Sequence, residues 1–248
     1  MYHHIAPPEV VPRDMGPLEG WNFTHSPISF ETQLVELHQR GYHFVSLDEF
    51  VSAIQKHGSE PKKTVALTFD DGWMDNFTYA LPILMKLSIT ATFFCTTNHI
   101  YRGERDAKKM AVVQLQELLV SGMTIGGHTR SHPDLTKLSP HLAKEEIAGC
   151  KIDLEQALGT EVKYFAYPGG AFNRDVASLA QESGYTAACS VLGPAINNHS
   201  SLFWLYRDLL STSMTTWGDR YRLCPAARRL FEFRVKRRLK VQLRKTTF

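Results

Sequence analysis

Residues 64–72 read TVALTFDDG, and this stretch decides the fold prediction. Its first six residues are mostly β-branched, aliphatic or aromatic, which is typical of a buried strand. The strand ends at Asp70-Asp71-Gly72, where the glycine permits a sharp turn. A helix is predicted to follow from Asn76 to Leu87, where Pro82 can introduce a kink. We therefore predict a strand-turn-helix unit with two carboxylates at the carboxyl end of its strand.

The same alternation continues along the chain. Strands are predicted at 90–95, 124–125, 164–167, 185–190 and 203–211, and helices at 112–121, 139–159 and 173–183. Strands that alternate with helices imply a parallel sheet with helical crossovers. At 248 residues we favour a closed or nearly closed β/α barrel over an open sheet. Such barrels carry function at the carboxyl ends of their strands.

Capping residues mark several helix ends. Ser46 and Glu49 predict a capping box at the start of one helix. Ser139 precedes Pro140, a residue that suits the first helical turn, and Gly159 is placed to end that helix. These local signals fix the predicted boundaries.

The composition excludes several classes of protein. Hydrophobic residues make up 43% and charged residues 21%, which argues against a disordered chain, a collagen or a coiled coil. No apolar run approaches the ~18 residues of a membrane span. The four cysteines are widely spaced, so we expect buried thiols and no cysteine zinc site or disulfide framework. Residues 1–15 lack the features of a secretory signal, and we expect a cytoplasmic or a trimmed chain.

We predict two parts of the chain: a barrel domain of residues 1–215 and a basic C-terminal tail of residues 216–248. Residues 220–248 contain eleven Lys and Arg and one acid, Glu232. Apolar residues recur at helical spacing there, although they also alternate as in a strand, and we favour a helix. Such a helix can pack on the acidic barrel or make peripheral contact with an anionic membrane. No nucleic-acid module accompanies the charge, so no nucleic-acid partner is expected, and the oligomeric state stays open.

Two polar motifs follow predicted strands. One is Asp70-Asp71, and the other is the sequence HTRSH at 128–132, which places two imidazoles four residues apart in a loop. Each alone has a simple alternative, a solvated Asp-Gly turn or two surface histidines. Together at one barrel mouth they predict a metal site. Imidazole and carboxylate donors suit zinc, and three protein ligands leave a position for water.

These motifs resemble those of a known family. Residues 68–72 (TFDDG) and 128–132 (HTRSH) are similar, in this order, to the first two motifs of the polysaccharide deacetylases of the NodB-homology type, carbohydrate esterase family 4. Residues 90–94 resemble the next strand of that family, and residues 165–170 (FAYPGG) resemble its third motif. The resemblance covers residues 1–212. It implies a distorted (β/α) barrel that removes N-acetyl or O-acetyl groups from sugars.

The resemblance also implies a role for each matching residue. Asp71, His128 and His132 would bind one divalent metal ion, with Zn²⁺ expected and Co²⁺ or Ni²⁺ as alternatives. Asp70 would be the general base that takes a proton from the attacking water. A backbone N–H near Gly169 would help to hold the developing oxyanion.

The sequence departs from the family pattern at two positions. One is the residue that orients the base, and the other is the general acid. Ala166 stands where common members carry an arginine. Arg207 either replaces that arginine from another strand or forms an ordinary ion pair. A late Leu-x-His motif is missing, but Met1-Tyr2-His3-His4 resembles the opening strand of the biofilm-polysaccharide deacetylases, whose motifs look circularly permuted. This resemblance implies His3 as the general acid, against the alternative of a frayed terminus with exposed histidines.

The candidate substrate contacts are Tyr167, Pro168, Gly169 and Trp73. Trp73 and Tyr167 offer stacking surfaces, although such aromatic residues more often belong to a core. We expect a metal-dependent hydrolase that removes acetyl groups, most simply N-acetyl, from a saccharide. The alternatives are a saccharide-binding barrel without catalysis and another metal hydrolase on the same fold.

Overall fold

Strands and helices alternate along the part of the chain that the structure, a computed structural model, describes: residues 1–10, 23–100, 108–192 and 196–208. The strands there are β1 (His4–Ile5), β2 (Thr24–His25), β3 (His43–Phe44), β4 (Thr64–Val65), β5 (Leu67–Phe69), β6 (Ala91–Cys95), β7 (Thr124–Gly127), β8 (Tyr164–Ala166), β9 (Ala187–Ser190) and β10 (Leu205–Tyr206). The α-helices there are α1 (Pro27–Gln39), α2 (Leu47–His57), α3 (Leu81–Lys86), α4 (Thr97–Ile100), α5 (Val112–Val120), α6 (Pro140–Leu158) and α7 (Arg174–Glu182).

A parallel sheet forms the centre of the fold. Within the described residues it has six strands in the order β10-β9-β8-β7-β6-β5, and each neighbouring pair is parallel. The strand order follows the chain without a reversal, which is the pattern of a barrel wall and differs from that of a doubly wound sheet. The carboxyl ends of these strands therefore lie along one rim.

The N-terminal segment joins the two edges of this sheet. Tyr2 pairs with Phe69 of β5, because the Tyr2 N–H donates to the Thr68 carbonyl at 2.9 Å and the Asp70 N–H donates to the Tyr2 carbonyl at 3.1 Å. The Met1 nitrogen donates to the carbonyl of Asp208, just after β10, at 2.6 Å. The sheet is thus curled until its edges approach, and the predicted distorted (β/α) barrel is confirmed.

Local capping signals set the helix boundaries as predicted. Ser46 and Glu49 form the capping box of α2: the Ser46 hydroxyl accepts from the Glu49 N–H, and the Glu49 carboxylate accepts from the Ser46 N–H. Ser139 caps α6, and Gly159 ends that helix in a left-handed conformation with a φ of 66°. Each contact joins residues three or four positions apart, which is why the sequence alone reveals them.

The predicted helix from Asn76 to Leu87 is confirmed, with a change of hydrogen-bond spacing before Pro82. Asn76–Ala80 form a π-helical stretch, and regular α-helical spacing follows in α3 from Leu81. The Leu81 N–H donates to the carbonyl of Asn76, five residues earlier. Pro82 has no N–H with which to continue the regular ladder, and this accounts for the change of spacing.

The core lies on both faces of the sheet. All five residues of β6 are buried, as expected of a parallel strand covered on each side. Glycines in β7 admit neighbouring side chains: a Cβ at Gly126 would lie 2.4 Å from the ring of Phe94, and one at Gly127 would lie 2.4 Å from the Tyr185 hydroxyl. The strand that leads into the histidine loop is thus packed closely on its neighbours.

The predicted basic tail, residues 216–248, lies outside the described residues, and so does the boundary at residue 215. The last strand, predicted at 203–211, is shorter in its described part, 203–208, where β10 comprises only Leu205–Tyr206. Among the helices of the described segments, none has the length and apolar character needed to cross a membrane.

Candidate metal and catalytic site

The polar motifs meet at the rim formed by the carboxyl ends of the strands. Asp70 and Asp71 follow β5, and His128 follows β7. Arg207 follows β10, the last strand of the sheet. Each side chain takes its place from the strand before it, so residues far apart in sequence converge on one mouth.

Asp71, His128 and His132 direct one ligand atom each towards a common point. Oδ1 of Asp71 lies 3.3 Å from Nε2 of His128 and 3.4 Å from Nε2 of His132. The three candidate ligand atoms all lie within 4.8 Å of one another. Ligand atoms bound at ~2.0–2.1 Å to a tetrahedral zinc ion are separated by roughly 3.3 Å, so this donor set fits one shared ion.

The ring of His128 is oriented by a backbone carbonyl. Its Nδ1 lies 2.7 Å from the oxygen of Ala166, which can only accept, so Nδ1 carries a proton and Nε2 is the atom available to a metal ion. Burial opposes a positive charge on this ring, but the hydrogen bond with Asp71, the charges of Asp70 and Asp71 and the Ala166 carbonyl together raise the pKa of His128. A metal ion would therefore compete with a proton for Nε2.

Asp71 lies in a left-handed turn that its neighbours support. Its φ is 73°, and Lys109 Nζ donates to its carbonyl at 2.9 Å. The indole N–H of Trp73 donates to Oδ2 at 3.1 Å, which leaves Oδ1 to face the histidines. Lys109 Nζ also lies 3.2 Å from the centre of the Trp73 ring. Burial favours the protonated acid, but the hydrogen bond with His128 and nearby positive charges hold the pKa of Asp71 well below its usual range.

Asp70 is held by a two-point ion pair with Arg207. Nη1 and Nη2 of Arg207 donate to Oδ1 and Oδ2 of Asp70 at 2.7 and 2.8 Å. Asp70 is 2% exposed and Arg207 is 8% exposed. Burial alone would raise the pKa of Asp70, but the charge and hydrogen bonds of Arg207, together with the charges of His128 and His3, lower that pKa. Asp70 is therefore ionised at neutral pH, next to the cluster of Asp71, His128 and His132 but not part of it.

His3 of the N-terminal segment lies near enough to Asp71 and Asp70 for their charges to act on it. Burial lowers its pKa, whereas the charges of Asp71 and Asp70 act on it in the opposite direction. Its ring lies 5.4 Å from that of Phe23, and its Nδ1 is buried without a hydrogen-bond partner among the described residues. Tyr2 on one side pairs with the sheet, and His4 on the other begins β1. The segment is thus an ordered edge of the barrel.

Comparison with known proteins agrees with this arrangement. The sequence model of the family described as polysaccharide deacetylase matches residues 57–188, over half of the chain, including both carboxylates and both histidines. The chain belongs to the polysaccharide deacetylase family.

Several relatives extend the match. Poly-beta-1,6-N-acetyl-D-glucosamine N-deacetylase of Staphylococcus aureus is 29% identical over 206 residues, which cover 77% of this chain and 69% of that protein. The Bacillus subtilis protein YxkH is 26% identical over 186 residues and 75% of this chain. The chain spans 65% of the length of YxkH and 37% of that of YlxY, also from Bacillus subtilis.

Solved structures of deacetylases share the fold. The Streptococcus pyogenes deacetylase PplD in complex with acetate superposes with a TM-score of 0.74 at 30% identity, covering 86% of this chain and 91% of PplD. IcaB from Ammonifex degensii gives a TM-score of 0.72 at 24% identity, with the same shares of the two chains covered. The curled parallel sheet of this chain is therefore shared with these two deacetylases of known structure.

The third motif, residues 165–170, is divided between core and surface. Tyr167 is completely buried, and its hydroxyl donates to the Phe203 carbonyl at 2.8 Å. Pro168 is also buried, whereas Gly169 is exposed with a φ of 58° and open space around it. The Tyr167 side chain therefore matches the alternative of a core aromatic residue. Gly169 is the member of this motif that faces solvent, and substrate contact remains a prediction for it and for Trp73.

Three residues that support the site were not predicted from the sequence. Lys109 reaches Asp71 across 38 residues, whereas Glu146 and Asp153 on α6 bind the loop between the two histidines. The spacing of Glu146 and Asp153, two helical turns apart, was a visible signal of a shared helix face. Nothing in the sequence shows what that face contacts, because its partners lie in a different segment.

Proposed function

We propose that this polysaccharide deacetylase is a metal-dependent hydrolase that removes N-acetyl groups from a saccharide. The observation that carries the proposal is the gathering of Asp71 Oδ1, His128 Nε2 and His132 Nε2 beside a separately held, ionised Asp70. Three ligands leave a coordination position open, and the free carboxylate next to it is placed to accept a proton.

Asp71, His128 and His132 would hold the ion, and a divalent metal there would lower the pKa of a water molecule and polarise the acetyl carbonyl. Asp70 takes a proton from that water as its oxygen adds to the acetyl carbon. The two hydrogen bonds from Arg207 keep the carboxylate ionised and fix its orientation. The donor set favours Zn²⁺, and Co²⁺ or Ni²⁺ offers the same coordination.

His3 supplies the second proton transfer. The bond between the acetyl carbon and the sugar nitrogen breaks as the protonated imidazole gives its proton to that nitrogen, so acetate and a free amine leave. Burial lowers the pKa of His3, which makes its protonated form a stronger acid, while the neighbouring carboxylates favour that form. The backbone N–H of Gly169, an exposed residue, is the candidate donor to the developing oxyanion.

The proposed substrate is a polysaccharide that contains N-acetylated hexosamine. This proposal is supported by the relative from Staphylococcus aureus, whose name specifies poly-β-1,6-N-acetyl-D-glucosamine. The exposure of His132 and Gly169 leaves this part of the rim open to solvent, where a saccharide can reach it.

Removal of the metal should abolish acetate release. We expect the purified full chain to release acetate from poly-β-1,6-N-acetyl-D-glucosamine, to lose this activity after treatment with a chelator, and to regain it with one equivalent of Zn²⁺, Co²⁺ or Ni²⁺. Acetate is measured enzymatically and the bound metal by elemental analysis. Saccharide binding without acetate release at full metal occupancy would favour the non-catalytic barrel.

Replacement of His3 should slow the reaction in a way that depends on the leaving group. We expect His3→Gln to reduce kcat/KM for the N-acetylated saccharide by about 10²-fold or more, as for the loss of a general acid. 4-Nitrophenyl acetate needs little protonation of its leaving group, so its hydrolysis should change far less. His141→Gln, on the surface of α6 with a side chain 81% exposed, is the matched control. Equal losses with both substrates would contradict a proton-donor role.

A further inference from the structure

The loop that carries both histidine ligands has an unfavourable backbone. Within residues 128–132, Thr129 has a φ of 69° and His132 a φ of 63°, both in the left-handed region that residues other than glycine adopt rarely. Such conformations persist where the surrounding structure holds them in place. The contacts made by this loop therefore decide whether both imidazoles reach the metal.

Glu146 of α6 supplies three of these contacts. Its Oε2 accepts hydrogen bonds from the N–H groups of Arg130 at 2.8 Å and Ser131 at 2.9 Å, and its Oε1 accepts from the Ser131 hydroxyl at 2.6 Å. Two successive N–H groups thus point at one carboxylate oxygen, as in an anion-binding nest. The carboxylate fixes the middle of the loop, between its two left-handed residues.

The same face of α6 also holds the Arg130 side chain. Nε and Nη2 of Arg130 donate to Asp153 at 2.8 Å each. Gly149, between Glu146 and Asp153 on this face, leaves room for the guanidinium, because a Cβ there would lie 2.4 Å from Arg130 Cζ. Helix α6 itself is anchored in the core by its buried residues Ile147, Cys150 and Leu154.

The two histidine ligands depend on this loop to different degrees. His128 is 1% exposed, and the Ala166 carbonyl holds its ring. The side chain of His132 is 44% exposed, so fewer neighbouring atoms restrict its ring than restrict that of His128. Its backbone N–H donates to the Thr129 hydroxyl at 2.9 Å, within the loop. The position of His132 is therefore set mainly by the loop backbone.

We propose that Glu146 is a positioning residue, which holds the 128–132 loop in the conformation that places His132 at the metal. The inference rests on the proposed metal-dependent function, but it concerns a residue that touches neither metal nor substrate. Helix α6 would thus position His132 through the loop, as the Ala166 carbonyl orients the ring of His128. Supporting residues of this kind usually change metal affinity when they are replaced.

The test measures Zn²⁺ affinity of the full chain after treatment with a chelator, by competition with a chromogenic indicator. We expect Glu146→Ala to weaken Zn²⁺ binding by about 10–100-fold. Glu146→Gln retains one carbonyl acceptor of the same reach, and we expect it to lose less than about tenfold. Glu145→Ala, at the next position with a side chain 55% exposed, is the matched control and should bind as the unmodified chain does.

A second readout separates positioning from general stability. Co²⁺ in the unmodified chain should give the intense visible bands of a tetrahedral site, and in Glu146→Ala these bands should weaken as the His132 bond is lost. If Glu146→Ala does not fold, Glu146→Leu, which is similar in size but has no acceptor for the loop, decides the question by the same two measurements. Unchanged Zn²⁺ affinity and an unchanged Co²⁺ spectrum in the folded variant would overturn the inference. Absence of metal binding by the unmodified chain would instead overturn the proposed function.

Discussion

Asp70→Asn should reduce kcat for acetate release by about 10²–10⁴-fold, because the amide cannot take a proton from the attacking water. The amide retains the shape of the side chain, and its oxygen can still accept a hydrogen bond from Arg207. The three metal ligands are unchanged, so Zn²⁺ stoichiometry should stay at one ion per chain. The loss should therefore fall on kcat with metal still bound. Acetate release and elemental analysis of the same samples provide the two measurements.

A surface aspartate supplies the control for this experiment. Asp175 lies exposed in the first turn of α7, and Asp175→Asn should leave kcat and metal content unchanged. Thermal unfolding of each variant ensures that rates are compared below the melting temperature. Full activity of Asp70→Asn at one bound metal ion would rule out Asp70 as the base.

Arg207→Met should lower both stability and activity. It leaves the Asp70 carboxylate buried without its partner, and breaking such a pair costs about 3–5 kcal/mol. For a domain of this size that corresponds to a fall in melting temperature of roughly 10 °C, measured by calorimetry. The double variant Asp70→Asn/Arg207→Met removes both charges and should recover much of the lost stability. Equal melting temperatures of the single and double variants would contradict the burial argument.

Arg207→Lys separates an orienting role from an ordinary ion pair. Lysine keeps the positive charge but cannot reproduce the two parallel hydrogen bonds to Asp70. We expect most of the stability to be retained, with kcat reduced by about tenfold or more through loss of orientation. A wild-type kcat in this variant would leave Arg207 as a structural ion pair only.

The membership of this chain in the polysaccharide deacetylase family was predictable from short stretches of sequence. The DDG and HTRSH motifs each lie at the carboxyl end of a strand, and in a parallel sheet those ends share one rim. Their meeting could therefore be expected without coordinates. The roles of Asp70 as base and His3 as acid came from the resemblance and remain predictions.

Other contacts of the site were beyond the reach of sequence patterns. Arg207 and Asp70 are 137 positions apart in the sequence. The charge of Arg207 alone therefore could not show which acid it pairs with. The indole N–H of Trp73 reaches Asp71, whereas the sequence suggested a surface for a sugar. Side-chain direction at a turn depends on backbone torsion, such as the φ of 73° at Asp71, and residue type does not reveal it.

By itself, the sequence determined the features that depend on neighbours within a few residues: strand and helix alternation, the Ser46 capping box, the Gly159 helix end and the two ligand motifs. Only the tertiary structure decided which distant groups support them, namely Arg207 at Asp70, Ala166 at His128 and Glu146 at the histidine loop. The physical reason is that hydrogen bonds and capping within a turn follow from chain geometry, whereas contacts between segments depend on how the whole sheet curls.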